Sequence, residues 1–391
     1  MKNKYMLMAI YASLMSLCLG LFTSMTFLAL NHIFIVIPCL YFLPKTNFKA
    51  WPWSQRFLLA MFGAVVVSVL VNQDIAVAGY APLTKSKYYL IALLSIAPMS
   101  FYFSDLKERA DHDKKIKWLL WALIGTTTLA SLSGMGAVFF GYNLLKMKAG
   151  FVDRNGGLAG MMMNYAHNLA MFQVILTGLV LYRKEVKRYL NLNFLYAAWV
   201  INFLGLYLTY TRGAWLGFLV ALPFFFLKKN VKGFVMAALV AAMLGIGAYI
   251  IAGTSVERAL SDAQRVSQWK TAIVGFKERP VFGLGYLNFE KMCTSLKIKY
   301  NIEVQDFSGH AHSNYFEMLA STGAVGFIFF MLWQITWFVE LLKRDDLIAK
   351  VGIGFIVAFM VGGLTQSTFT LGANLFFIMP AYAVTMIKER L

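Results

Sequence analysis

The chain is a succession of apolar stretches, most of them near the ~20 residues that an α-helix needs to cross a lipid hydrocarbon core. Two fill residues 5–43, broken near Phe22–Thr26. Ten more lie at about 57–72, 87–103, 117–140, 158–181, 191–211, 213–227, 233–252, 312–342, 351–366 and 373–387. Such a chain folds by the rules of the bilayer, where every backbone polar group must be satisfied internally. Composition agrees: of 391 residues 59% are hydrophobic and 14% charged, with mean hydropathy +0.64. A soluble domain carries roughly 45–50% apolar and about 25% charged residues. An ordinary soluble enzyme, a disordered chain and a disulfide scaffold are excluded. The expectation is an all-α polytopic membrane protein of about twelve transmembrane helices, residues 1–391 forming one integral membrane domain. The N-terminal apolar run is too long for a signal-peptide core and shows no small-x-small cleavage site, so it reads as two uncleaved helices.

The formal net charge is +18. In a soluble protein that balance would point to nucleic acid. Here it holds cytoplasmic loops on the anionic inner leaflet, and no nucleic-acid partner is expected. With the N-terminus inside, 22 of the 36 Lys and Arg residues fall on the cytoplasmic side. Eight of the other 14 sit in one long outer loop, Gly253 to Ala311. Apart from that loop the ratio is 22 to 6, as the positive-inside rule requires. The same count isolates basic residues whose position orientation does not explain. Cys18 and Cys39 fall in apolar runs and Cys293 stands alone in the polar loop, so cysteine spacing offers no metal set.

Within the 253–311 loop, Thr254 and Glu257 match a capping box. Val256, Ala259, Leu260, Ala263, Val266, Trp269, Ala272, Ile273 and Phe276 follow at helical spacing. Pro280 stops the pattern, and Gly283 and Gly285 make a turn. The reading is an amphipathic helix of about 24 residues over the membrane surface, then an irregular segment leading into the tenth span.

Charged residues are nearly absent from the middles of the spans, where proton-coupled transporters usually need them. They gather at the outer face. Arg212, in Tyr210-Thr211-Arg212-Gly213, opposes the orientation bias, and Gly213 permits close approach; an arginine snorkelling to the interface is the plain alternative. Arg258 and Arg265 are seven apart and share a helix face, with Asp262 between them as a possible ion-pair partner. Arg154 lies beside the flexible Asn155-Gly156-Gly157 turn. His310 and His312 precede the tenth span; on a helix, i and i+2 point nearly opposite ways, and no acids or cysteines complete a zinc set. Asn164 and His167, inside the sixth span, read as buried contacts between helices.

These residues resemble a known family. His312-Ser313, nine residues, Gly323, two residues and Gly326 resembles the His-[Asn/Ser/Gln]-x9-Gly-x-x-Gly signature of bacterial O-antigen ligases. Thr211-Arg212-Gly213-Ala214-Trp215 resembles their outer arginine segment. Arg265-Val266-Ser267-Gln268-Trp269 and Pro280-Val281-Phe282-Gly283-Leu284-Gly285 resemble their large periplasmic loop. The motifs cover about residues 150–330, and the topology covers the whole chain.

The resemblance implies transfer of a finished glycan from undecaprenyl diphosphate to a sugar hydroxyl of lipid A–core, in lipopolysaccharide biosynthesis. It places the reaction on the periplasmic face of a Gram-negative inner membrane, with the 253–311 loop periplasmic. It implies inversion at the anomeric carbon, with neither cofactor nor metal. The partners implied are the lipid-linked glycan donor, the lipid A–core acceptor and membrane lipids. Arg212 and Arg265 suit a diphosphate clamp by bidentate, charge-assisted bonds, with Arg154 and Arg258 as further binding candidates. One such pair at ~4 Å and an effective dielectric near 20 gives about 4 kcal/mol of Coulomb attraction before desolvation. A neutral His312 suits the general base, a role typically worth ~10²–10⁴ in rate. Neighbouring arginines are expected to keep it neutral. An O-antigen polymerase using the same donor is the nearest alternative. A lipid-linked glycan flippase or other transporter is the alternative from another class, and would need no base.

Overall fold

The computed structural model describes residues 2–107, 110–143, 145–158, 162–228, 230–252, 256–303 and 308–387; for residues 2–3, 107, 248–252 and 256–259 it describes the backbone. The first part comprises α1 (Lys2–Gly20), α2 (Met25–Phe42), α3 (Trp53–Val71), α4 (Leu83–Lys107), α5 (His112–Phe140) and α6 (Met162–Leu181). After the short α7 (Arg183–Val186) come α8 (Leu192–Tyr207), α9 (Arg212–Ala221) and α10 (Val231–Ala252). The long loop holds α11 (Val256–Glu278) and α12 (Phe289–Lys299). The chain continues through α13 (Asn314–Leu342), α14 (Leu347–Gly362) and α15 (Gly372–Thr385).

Each of the twelve apolar stretches falls on a helix of its own. Among the described residues, five helices are long and apolar enough to cross a membrane, and six more are apolar but shorter. The protein is an all-α membrane protein. The α1–α2 break falls where expected: Ser24 caps α2 by accepting from the Thr26 N–H. α6 and α14 are apolar and buried almost all round, as helices at the centre of a bundle should be. α13 packs along α3, and its Trp333 and Trp337 are fully buried with ring centroids 5.4 Å apart.

The loop departs from expectation in two ways. The amphipathic helix is present as α11, although its expected cap at Thr254 lies outside the described residues. The segment after it is not irregular throughout, because Phe289–Lys299 forms α12. Its Phe289, Cys293 and Leu296 pack with Ala272 of α11 and Ala320 of α13 into a small separate core. Cys293 is therefore fully buried, its thiol donating to Gln268 Oε1 at 2.6 Å.

The loop is fastened to the bundle through backbone. α13 is interrupted at Gly323, whose φ of 64° and ψ of −165° are not helical. The interruption takes the Ala320 carbonyl and the Ala324 and Val325 N–H groups out of the helical ladder. Leu284 N–H donates to Ala320 O at 2.8 Å, Ala324 N–H to Pro280 O at 2.8 Å and Val325 N–H to Val281 O at 3.2 Å. Both partners must be glycine there. A Cβ on Gly283, itself at φ 65°, would stand 2.5 Å from the Gly323 nitrogen, and one on Gly323 would collide with the Val281 carbonyl. Tyr286 then reaches inward, its hydroxyl 2.7 Å from that of Tyr89 on α4. Arg279 pairs with Asp74 beyond the end of α3.

Two outcomes follow from this anchoring. Gly323→Ala should destabilise the folded protein by roughly 1–3 kcal/mol or more from backbone strain alone, before the clash is added. Gly63→Ala in α3, where a Cβ would meet nothing, should be neutral or slightly stabilising; thermal midpoints of the two purified variants read the contrast. Loop orientation needs an exposed probe rather than Cys293. Ser295 is exposed, so Ser295→Cys should label with an impermeant maleimide in intact spheroplasts. Labelling only after lysis would reverse the topology.

Candidate functional site

His312 lies two residues before α13, on backbone knitted to the segment between α14 and α15. Ser313 N–H donates to Ser367 Oγ at 3.1 Å, and Asn314 N–H to Gly363 O at 2.7 Å. Asn314 Nδ2 donates to Thr368 Oγ1 at 2.9 Å, while its Oδ1 accepts from Phe369 N–H at 2.8 Å. These bonds hold His312 at φ 49°, a left-handed conformation that costs a non-glycine residue energy. The expected span at 351–366 ends at Gly362; residues 363–371 are largely polar, largely buried and not helical, and Gly363 O, the Ser367 and Thr368 hydroxyls and Phe369 N–H bond the entry to α13.

The imidazole is oriented by Gln366, which the sequence reading left inside a span. His312 Nδ1 lies 2.9 Å from Gln366 Oε1. The Gln366 amide nitrogen donates to Asn164 Oδ1 at 3.2 Å, and lies 3.4 Å from His310 Nε2. With its oxygen facing His312, Gln366 sets the tautomer: Nδ1 carries the proton and Nε2 the lone pair. Asn164 is thus buried in α6, and its side chain fixes the Gln366 amide, which belongs to the irregular segment and not to another helix.

The expected divergence of His310 and His312 is not observed. Neither residue is helical, and their ring centroids stand 4.2 Å apart, both against Gln366. Burial is the first cause that lowers the His312 pKa, to about 4; the neighbouring His310 and then Arg265 add to it, against the Gln366 bond, which raises it. His312 is therefore neutral at ordinary pH, with desolvation outranking the arginine expected to do this. The His310 pKa is lowered too, again chiefly by burial. His167, by contrast, keeps Nδ1 2.8 Å from its own helix at Met163 O.

Two arginines converge on one carboxylate, Asp262, from segments about fifty residues apart, and Arg265 is near enough to the His312 imidazole to lower its pKa. Arg212 opens α9, and its Nη2 lies 3.3 Å from Asp262 Oδ2. Arg265, one turn along α11 from Asp262, places Nη1 3.5 Å from Oδ1 of the same carboxylate. Asp262 pairs with Arg265, as the ion-pair alternative expects, and also with Arg212. The Arg258 side chain lies outside the described residues. Arg154 is half-buried on a segment that Asn155 docks against Leu208, and among the described residues it forms no ion pair.

The local sequence explains why Arg212 points here. The Trp215 indole donates to Leu206 O at 2.9 Å and stacks on Tyr207, closing the α8–α9 turn. A Cβ on Gly213 would collide with Thr365 Oγ1, so this glycine brings the start of α9 against the segment that carries Gln366. α11 is set on the other side by Trp269, stacked on Phe316 of α13 with centroids 5.3 Å apart. Sequence reasoning missed Gln366; the available signal was the polar run Gln366-Ser367-Thr368 between two apolar helices.

Because both arginines are partly exposed and Asp262 is about half-exposed, their ion pairs should contribute only about 0–1 kcal/mol each to stability. Asp262→Asn should therefore leave the thermal midpoint nearly unchanged; a large fall would make the triad a structural brace.

Comparison with known proteins bears on this arrangement. Residues 197–331, which include Arg212, Arg265 and His312, match the family model described as O-antigen ligase. The chain is also similar to an uncharacterized protein of Haemophilus influenzae, 25% identical over 234 residues. That match covers 52% of this chain and 58% of the relative, less than two thirds of the relative's length. The 197–331 match, about a third of the chain, spans the arginine segment, the loop and the entry to α13, and in this region the chain is similar to the O-antigen ligase family.

Proposed function

We propose that the chain is a glycosyltransferase that moves a glycan from undecaprenyl diphosphate to a sugar hydroxyl of lipid A–core, at the periplasmic face of an inner membrane. The observation that carries this reading is the convergence of Arg212 and Arg265 on Asp262, with Arg265 acting electrostatically on a neutral, Gln366-oriented His312. The likeness of residues 197–331 to the O-antigen ligase family supports the donor class and the reaction class. Asp262 supplies the negative charge between the two guanidiniums. A diphosphate, with more charge and more acceptor oxygens, displaces that carboxylate and gains bidentate bonds from both arginines. Little is lost in the exchange, because exposed ion pairs are weak.

The acceptor hydroxyl attacks the anomeric carbon from the face opposite the diphosphate. The new C–O bond forms as the old one breaks, and undecaprenyl diphosphate leaves with the electron pair. His312 Nε2 takes the hydroxyl proton. The arginines accelerate the step by the part of their attraction that grows as the leaving charge grows. A base with a pKa of about 4 is neutral but weak. Donor charge brought beside it raises that pKa toward the working range, so binding the donor also activates the base.

The reading is tested in a purified transfer assay with lipid-linked glycan and two acceptors, lipid A–core and free glycan repeat. Transfer to lipid A–core is expected; transfer only to the free repeat would make the enzyme a polymerase. Arg212→Ala and Arg265→Ala should each weaken donor binding about 10- to 100-fold, the range for a bond to a charged group. The lysine variants should remain impaired because the planar fork is lost. Wild-type donor affinity in both alanine variants would remove the clamp.

The pH profile supplies a separate check. His312 must be unprotonated to act, so activity should fall on the acid side. kcat/KM, which reports the free enzyme, should fall only near pH 4. The acid limb of kcat, which reports the donor complex, should lie at higher pH. Coincident limbs would mean that donor charge does not reach the histidine.

A further inference from the structure

A large cavity lies at the other end of the bundle. It has a volume of about 710 Å³ and runs between α1, α5, α6, α14 and α15. Its walls are almost entirely apolar, among them Leu14, Leu123, Ile175, Phe355 and Phe377. On α14 the lining extends from Leu347 to Phe355, which at about 1.5 Å per residue is a depth of ~12 Å, close to the ~15 Å of one leaflet's hydrocarbon. Gly363, which holds Asn314 beside His312, follows the far end of the same helix. About 22 Å of α14 therefore separates the cavity mouth from the candidate site.

The mouth is charged. Lys184, Glu185 and Arg188, on α7 and the turn after it, line it together with Asp346. Asp346 is already neutralised: Arg344 holds it with two bonds, at 2.8 and 3.0 Å, and it also caps α14. The groups left at the mouth are two cations against the one carboxylate of Glu185. Arg183 and Lys187, beside them in sequence and exposed, extend the positive field. Water has too few polar partners in such a shaft to stay ordered there. A bilayer presents to it a chain of matching length with a headgroup at the height of the basic mouth.

We propose that this cavity is a binding site for one anionic phospholipid of the inner leaflet, with an acyl chain in the apolar shaft and the phosphate at Lys184 and Arg188. Its volume falls within the roughly 300–1,000 Å³ of ordinary ligand sites. Basic pockets between membrane helices on the cytoplasmic side are where anionic headgroups bind. The site does not depend on the transfer reaction, and it is distinct from any donor site at Arg212 and Arg265.

The test uses the purified full chain, with phosphatidylglycerol and phosphatidylcholine as probes, read by native mass spectrometry and by the thermal midpoint. One phosphatidylglycerol should be retained per chain and should raise the midpoint more than phosphatidylcholine at equal concentration. The Lys184→Gln/Arg188→Gln double variant, placed on exposed positions, should lose that preference roughly tenfold or more. Leu123→Trp, which fills the shaft, should reduce retention of both lipids. Equal retention of the two probes by the wild-type chain would overturn the proposal. So would a preference untouched by the glutamine variant, or a polyprenyl phosphate found in place of phospholipid.

Discussion

The hydrogen bonds between the Pro280–Leu284 segment and the broken turn of α13 at Gly323 hold the two parts of the molecule in register. A buried backbone group left without a partner costs about 1–3 kcal/mol, so the loop cannot leave without exposing the break, nor can α13 straighten without releasing the loop. Arg265 stands on the helix that leads into one side of this junction, and His312 stands just before the helix on the other. Their relation is thereby set by main-chain geometry, not by flexible side chains. Tyr286 against Tyr89 and Arg279 against Asp74 extend the same attachment to α4 and α3.

A second seam completes the site. Residues 363–369 bind the entry of α13 through Gly363, Ser367, Thr368 and Phe369, while Gly213 brings the start of α9 against Thr365. One irregular strip of chain therefore positions both the histidine and an arginine. Irregular backbone in a membrane protein is tolerated where protein buries it and satisfies its polar groups. The electrostatics follow from placement: a desolvated imidazole kept neutral, with Arg265 adding to that effect, and Asp262 as the anion between Arg265 and Arg212.

Much of this was legible in the sequence because the physics was local. Twelve apolar stretches of near-spanning length gave twelve helices, and the 3.6-residue pattern after Val256 gave α11 up to the stop at Pro280. Glycine at 283 and 323 marked special backbone, but nothing in a one-dimensional pattern says that two glycines forty residues apart touch. Gln366 was hidden for a related reason. It adjoins a strongly apolar run, so hydropathy absorbed it, whereas its role depends on pairing with residue 312. The divergence of His310 and His312 assumed a helix that begins two residues too early; the caps of α13 start at Ser313. α12 was legible too, since Phe289, Met292, Cys293 and Leu296 recur at i, i+3, i+4 and i+7 and form the face that packs against α11 and α13; the lysines and the polar setting of the loop obscured it.

The most direct test measures transfer rate and donor binding on the same purified His312→Ala protein. If His312 accepts the hydroxyl proton while the arginines hold the diphosphate, transfer should fall by ~10²–10⁴ and the donor dissociation constant should stay close to that of the wild type. Near-normal transfer would contradict the account outright. Loss of donor binding in a folded protein would instead make His312 a ligand of the diphosphate and leave the proton without its acceptor.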